Sequence, residues 1–388
     1  MKEGLTYKKF GEVATFSRGL TFAKGDVADV SSKKVLRSNN IDLISHSLNF
    51  DDVTCLNEDF VIPDEKKLHK GDIFICMSNG STQHLGKVAF VEDEIDYAFG
   101  GFMGAIHPIA KVVYPKYAFY SCLSTEYRRF LASILNGINI NNLKWSDLSK
   151  FSIPVPIIET QQHIVSELDL LQSIIDKQKA QLKELDNLAQ AVFYDMFGEI
   201  LNEVPKYTLK DVASYFIGLT YKPTEVSDDG TIVLRSSNIQ ENQLDFQDIV
   251  RVNTKVDKKK IVEEGDILMC SRNGSSRLVG KVARIKNLSE QMSFGAFMTI
   301  IKSQYNDYLF YFFLSQYFRS QLITSQTATI NQITTKMLDD IKLNVPPLTL
   351  QQTFAEKIES IEKQKSAITK SIEETQKLFD YTMDKYFG

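Results

Sequence analysis

Two polar stretches, each present twice, carry the side chains best suited to chemistry. Arg37-Ser38-Asn39-Asn40 and Arg235-Ser236-Ser237-Asn238 each follow a short apolar run. Ser78-Asn79-Gly80-Ser81-Thr82-Gln83-His84 and Arg272-Asn273-Gly274-Ser275-Ser276-Arg277-Leu278 each sit between two apolar runs. What such groups do best is hydrogen-bond the edge of a planar heterocycle. Arginine matches the acceptor pair of a guanine, asparagine the acceptor–donor pair of an adenine, and serine or threonine serves either base or a phosphate oxygen. Lys87 and Lys281 follow the second stretch and read as phosphate contacts, or equally as ordinary edge-strand lysines. Blander readings stand beside these. Arg37 and Arg235 read just as well as residues holding a turn from inside, and the second loops as hairpin turns with solvated side chains. The copies differ where a reader would differ: Ser78 faces Arg272, Gln83 faces Arg277 and His84 faces Leu278.

Covalent catalysis finds little footing. Gly80 to Lys87 and Gly274 to Lys281 resemble a phosphate loop, but five residues separate the glycines where four are needed, and Val88 and Val282 stand where a magnesium-binding Ser or Thr belongs. Asn344-Val-Pro-Pro347 is a partial match to an adenine-methyltransferase signature and lacks a glycine-rich cofactor loop upstream. Pro63-Asp64 with Glu65-Lys66-Lys67 has the letters of a nuclease site compressed into one turn. The histidines His46, His69, His84, His107 and His163 lack metal spacing, and Cys55, Cys76, Cys122 and Cys270 form no CxxC pair.

The elements that would position the polar loops are themselves repeated. VLRSNNI at Val35–Ile41 matches VLRSSNI at Val233–Ile239, KGDIFICMSNG matches EGDILMCSRNG, FGGFM at Phe99–Met103 matches FGAFM at Phe294–Met298, and YAFYSCLSTEYRRFL at Tyr117–Leu131 matches YLFYFFLSQYFRSQL at Tyr308–Leu322. The spacing between copies drifts, so the insertions fall in loops. Apolar runs at Asp72–Cys76, Lys87–Val91 and Gly104–Ile109 read as strands, and the aromatic segments Tyr117–Leu131 and Tyr308–Leu322 as helices.

After each such unit comes a long stretch without internal glycine or proline, closed by Phe-Gly at 197–198 and 387–388. Ile164, Leu168, Leu171, Ile175, Leu182 and Leu185 step by three and four, continuing through Ala189, Val192 and Met196, with Gln178 in the one gap. Phe354, Ile358, Ile361, Ile368, Ile372 and Phe379 lie on the equivalent seam, interrupted by Lys365 and Thr375. A 3.5-residue period is that of a coiled coil, and a rod of this kind would be about 55 Å long at about 1.5 Å per residue. The expected fold class is α+β: two mixed α/β units (1–157 and 199–347) alternating with two helical spacers (158–198 and 348–388). The helices are expected to pack as an antiparallel coiled coil, giving an internal pseudo-twofold repeat.

Bulk composition agrees with a globular protein: 388 residues, 43% hydrophobic, 24% charged. A net charge of −4 counts against a chain that binds nucleic acid unaided, since phosphate neutralisation supplies most non-specific affinity. The N-terminus lacks an apolar signal segment and the longest apolar runs are too short for a bilayer, so a cytoplasmic protein without membrane contact is expected.

The order and duplication of these blocks resemble the specificity subunit of type I restriction–modification enzymes. The resemblance rests on the Gly71-Asp72-Ile73 and Gly265-Asp266-Ile267-Leu268 blocks, the Asn-Gly loops after them, the Ile-Pro-Val-Pro and Asn-Val-Pro-Pro exits, and the Gln161-Gln162 and Gln351-Gln352 helix starts. It implies two target-recognition domains that read a bipartite sequence in double-stranded DNA, with a gap set by the helices. It implies partners, namely two methyltransferase (modification) subunits and motor-nuclease (restriction) subunits. No cofactor is implied for this chain, because S-adenosylmethionine, ATP and magnesium belong to the partners. A DNA-independent scaffold and a degenerate methyltransferase or nuclease are the competing readings. The chain departs from the usual family pattern in that its two recognition domains are alike throughout, which implies either that the half-sites are alike or that the chain arose by a recent duplication.

Overall fold

The computed structural model describes residues 6–81, 84–135, 142–323 and 331–388. Thr82 and Gln83, two of the expected contact residues, lie outside these. The chain forms two compact units, Met1–Lys179 with Lys370–Gly388, and Ala180–Thr369. Each long helix is thus divided between units rather than forming a domain of its own.

The first unit is built on two four-stranded sheets. Its strands are β1 (Tyr7–Lys9), β2 (Ala14–Arg18), β3 (Val27–Ala28), β4 (Lys34–Leu36), β5 (Thr54–Leu56), β6 (Ile73–Cys76), β7 (Val88–Phe90), β8 (Tyr97–Phe99), β9 (Met103–Pro108) and β10 (Ser152–Pro154). One sheet runs β2-β9-β6-β7 and is antiparallel; the other runs β3-β5-β4-β8, with β4 and β8 parallel. β6 explains the arrangement. All four of its residues are buried, and successive strand residues point to opposite faces. Ile73 and Ile75 join a core shared with Phe10, Tyr117 and Leu168, while Phe74 and Cys76 join a second core with Leu36, Phe99 and Met103. A strand covered on both faces has to be apolar throughout, as this one is.

The helices of this unit are the single turns α1 (Phe10–Val13) and α4 (Trp145–Leu148), then α2 (Pro115–Ser121), α3 (Thr125–Leu135) and the first part of α5 (Ile158–Asn202). The single helix expected over Tyr117–Leu131 is two, broken at residues 122–124. Ser124 does this: its hydroxyl donates to the Ser121 carbonyl (2.7 Å) and accepts from the Tyr127 N–H (3.1 Å). One side chain satisfies the end of one helix and the start of the next, which periodicity alone does not reveal.

The second unit repeats the plan. Its elements, after the last part of α5, are β11 (Tyr207–Thr208), α6 (Leu209–Val212), β12 (Ser214–Ile217), β13 (Val226–Ser227), β14 (Thr231–Leu234), β15 (Ile239–Gln240), β16 (Gln243–Leu244), β17 (Arg251–Val252), β18 (Ile267–Cys270), β19 (Val282–Arg284), β20 (Met292–Phe294) and β21 (Met298–Lys302), followed by α7 (Asn306–Leu314), α8 (Gln316–Ile323), α9 (Thr335–Asp339), β22 (Lys342–Leu343) and the first part of α10 (Leu348–Phe387), whose end belongs to the first unit. The sheets are β12-β21-β18-β19 and β13-β17-β14-β20. β18 alternates between two cores as β6 does, and Ser315 joins α7 to α8 as Ser124 joins α2 to α3.

Within each unit the two long helices lie side by side and run in opposite senses. In the first, Tyr386 bonds Glu167 and Gln178 bonds Ser371 (3.0 and 2.7 Å). In the second, Lys365 bonds Asp186 (2.6 Å), and the Phe354 ring meets Phe193 and Phe197. Of the expected seam, Ile164, Leu168, Leu171, Ile175, Phe354, Ile358 and Ile361 are buried, while Leu182, Leu185, Ile368, Ile372 and Phe379 are half-buried. Lys365, read as an interruption, is 8% exposed and answered by Asp186. Two details differ from expectation. α5 continues through Gly198 to Asn202, because Leu201 is buried in the second unit's core and that packing outweighs the cost of a helical glycine, about 1 kcal/mol. Phe193 and Phe197, at 0% exposure, take the deep positions instead of Val192 and Met196, each ring worth roughly 2–3 kcal/mol on burial.

Candidate nucleic-acid interface

Three turns meet at one edge of each unit. In the first, β4 runs into a 3₁₀ turn at Ser38–Asn40, β6 runs into the Met77–Ser81 loop, and Gly100–Phe102 links β8 to β9. Asn79 ties them together. Its amide donates to the Ser38 hydroxyl (3.3 Å), and its side-chain oxygen accepts from the Ser81 N–H (2.9 Å). The Met77 and Ser78 N–H groups both donate to the Phe102 carbonyl at 3.0 Å, and the Gly100 N–H donates to the Leu36 carbonyl at 2.9 Å. The second unit repeats every link. Asn273 donates to Ser236 (3.0 Å) and accepts from the Ser275 N–H (2.9 Å), Ser271 and Arg272 donate to the Phe297 carbonyl (2.9 and 3.0 Å), and Gly295 donates to the Leu234 carbonyl (2.9 Å). The two polar stretches that the sequence shows 41 and 37 residues apart are therefore one surface.

Close backbone approach holds this surface together. A Cβ on Gly19 would lie 2.0 Å from the Gly100 carbonyl oxygen, and one on Gly218 would lie 2.1 Å from that of Gly295. In the first unit a cleft of about 780 Å³ opens here, lined among others by Leu20, Phe22, Arg37, Asn39, Asn79 and Phe102.

The expected contact residues divide into several groups. Asn40 and Asn238 are corrections: they are 0% and 1% exposed and their amides are already committed. Asn40 donates to the Asn49 and Asp52 carbonyls (2.8 and 3.0 Å) and accepts from the Arg37 N–H (2.7 Å). Asn238 does the same with Asp245, Asp248 and Arg235 (2.8, 3.0 and 2.8 Å). Both are scaffold residues that shape the turn. Arg37 is about half exposed and 3.7 Å from Asp52; Arg235 holds Asp248 at 2.7 Å, while its Nε is buried without a partner. The Ser237 hydroxyl and Arg235 hold the Asp248 carboxyl below its usual range. Asn39 and Ser81 are exposed, and Ser38, Ser78, Asn79, Ser236, Ser237 and Asn273 are half-buried at the rim.

Arg272, Ser275, Ser276 and Arg277 are exposed, the last two on a 3₁₀ turn. Lys87 is half-buried behind its loop, and burial pulls its ammonium below the usual lysine value; Lys281 occupies the matching place. His84 is half-buried, with Nδ1 shielded and unbonded.

Two features escaped sequence reasoning. Phe102 and Phe297 are 73% and 59% exposed in the middle of the polar surface; the repeated FG-x-FM block was their signal. Elsewhere in the first unit, Ser17, His107 and Asp72 form a relay (Ser17 Oγ to Nε2 2.8 Å, Nδ1 to Asp72 2.7 Å) with the connectivity of a hydrolytic triad. The second unit explains it. There the matching positions are Asp266 and Lys302, paired at 3.0 Å, so in both units a contact to this aspartate ties the sheet to the turn before the central strand. Among the described residues no group of three or more His, Cys, Asp or Glu is placed to hold a metal ion.

A family profile described as the type I restriction modification DNA specificity domain matches residues 2–187 and again 202–377. The type I restriction enzyme EcoKI specificity subunit of Escherichia coli K12 is 25% identical over 93% of this chain and 82% of its own length. The StySPI specificity subunit of Salmonella potsdam is 26% identical over the same shares. In fold, the chain resembles a subunit from a study of complex assembly and conformational transition in the type I system (TM-score 0.54, 17% identity, 100% of this chain and 98% of that one). It also resembles the S subunit of the M. genitalium type I system (TM-score 0.51, 13% identity, again 100% and 98%).

Proposed function

The chain belongs to the type I restriction modification DNA specificity family, carrying its domain twice, and on that premise we propose how it reads DNA. Each unit presents its three-turn surface to the major groove of one half of a bipartite target. The observation that carries this is the repetition itself: the same asparagine-to-serine link, the same clamped phenylalanine and the same close glycine approach occur in both units, while the exposed side chains around them differ. A repeated frame with differing outward groups is what reading two sequences with one scaffold requires.

In this reading the paired stretches of α5 and α10 act as an antiparallel coiled coil that relates the units by a pseudo-twofold axis and sets the gap between half-sites. The opposite running of the helices within each unit supports it. The chain itself makes and breaks no bonds. Two methyltransferase subunits dock on it, motor-nuclease subunits join them, and S-adenosylmethionine, ATP and magnesium are held by those partners. The partners also contribute positive charge around the DNA, which a chain of net charge −4 needs. No helix among the described residues is long and apolar enough to cross a membrane.

The test is single-molecule methylome sequencing of a host expressing this chain with its methyltransferase partner. The expected result is a gapped motif with methyladenine in each half. An active partner whose methylation does not depend on this chain would overturn the proposal in favour of a scaffold.

A further inference from the structure

The exposed rings of Phe102 and Phe297 stand where the polar turns converge. Scattered apolar side chains on a surface are ordinary. These two are not scattered. They occupy the same position in both units, on turns immobilised from two sides. Two loop N–H groups hold each phenylalanine carbonyl, and Gly19 after β2 or Gly218 after β12 lies so close to the carbonyl of Gly100 or Gly295, two residues before the phenylalanine, that no Cβ fits on it. The frame fixes where the ring stands, and it stands outward.

We propose that Phe102 and Phe297 are specificity-determining residues that pack against a thymine C5 methyl group in the major groove, one in each half-site. This rests on the DNA-reading function proposed above. The neighbouring Ser, Asn and Arg side chains suit major-groove edges, and the thymine methyl is the one apolar feature of that groove, which a phenyl ring contacts without needing a hydrogen bond. The units differ in how open the ring is. In the second, the Arg272 guanidinium lies over Phe297, 5.7 Å from the ring centroid, and in the first Ser78 leaves Phe102 uncovered. Arg272 is then placed to read a guanine beside the methyl-bearing base, a contact the first unit lacks.

The experiment uses the chain assembled with its methyltransferase partner and duplexes carrying its target, in which each recognised thymine is replaced in turn by uracil, removing only the methyl group. The wild-type complex should lose about three- to fivefold in affinity at one thymine in each half, the worth of one buried methyl. Phe102→Ala should abolish sensitivity in the half read by the first unit and leave the other intact, Phe297→Ala should do the converse, and Phe102→Leu should retain part of it. Uracil sensitivity that persists unchanged in Phe102→Ala overturns the inference, as does a recognised half-site without a thymine on either strand. Enhanced 2-aminopurine fluorescence on binding that vanishes in the alanine variants would also overturn it, showing a wedge between base steps instead. A wild-type complex with no sequence preference would fail the proposed function itself, a separate result.

Discussion

Replacing Asn40 with alanine distinguishes a residue that builds the reading surface from one that touches DNA. The side chain makes three hydrogen bonds, accepting from the Arg37 N–H (2.7 Å) and donating to the Asn49 and Asp52 carbonyls (2.8 and 3.0 Å). At about 1 kcal/mol net for each, and with the site sealed from water, the loss is about 3 kcal/mol. For a unit of this size each kcal/mol moves the midpoint by about 2–4 °C, so the first unit should unfold about 6–12 °C lower. Differential scanning calorimetry of the full chain reads this as an early transition. Ser81→Ala, at an exposed loop position, is the control and should stay within about 0.5 kcal/mol of wild type. Below its lowered midpoint Asn40→Ala should keep its preference in the half read by the second unit. Refutation would be Asn40→Ala unfolding at the wild-type midpoint while losing one half-site, since that would make its amide a base contact.

Three further perturbations follow. Glu362 is disfavoured as an anion by burial, but Lys365 and Lys286 outweigh this and hold its pKa below the ordinary glutamate value. A lowered folded value means stability that is fully present above pH ~4.5 and lost as pH falls through the folded pKa. Glu362→Gln should therefore flatten the fall of the second unit's unfolding midpoint between pH 6 and 3, and an unchanged slope would assign the acid lability elsewhere. Gly19→Ala places a Cβ 2.0 Å from the Gly100 oxygen, so it should displace the Phe102 turn and weaken recognition of one half-site, read by gel shift on duplexes altered in either half. Removing one heptad from both long helices shortens the spacer by about 10 Å while keeping each face within about 20°, so the methylated motif's gap should contract by about three base pairs. A motif with the original gap would show that the helices are not the ruler.

The sequence by itself determined the plan of the chain. The duplication is written in matched blocks, and blocks such as the apolar run into β6 and β18 recur because a strand buried on both faces accepts only apolar residues. The long helices are equally legible, since a heptad pattern free of proline needs no tertiary information. What composition could not decide is which polar residues face inward. Asn39 and Asn40 are adjacent and chemically identical, and both amides donate to the Asp52 carbonyl, yet one side chain is exposed and the other is sealed beneath the turn. Only the path of the chain from Asn49 to Asp52 supplies the carbonyls that seal it there, and the loop that returns the chain to Asn40 follows no local periodicity. The same holds at Phe102 and Phe297, where an apolar residue that sequence reasoning sends to the core is held outward by hydrogen bonds to its backbone. Likewise Lys365, which breaks the heptad on paper, fits the helix pair because Asp186 on the other helix comes within 2.6 Å. Local pattern fixes where strands and helices form, because propensity and periodicity act over neighbouring residues. Which hydrogen-bonding groups are consumed inside and which remain for a ligand depends on partners 7 to 179 residues away, and only the folded chain brings those together.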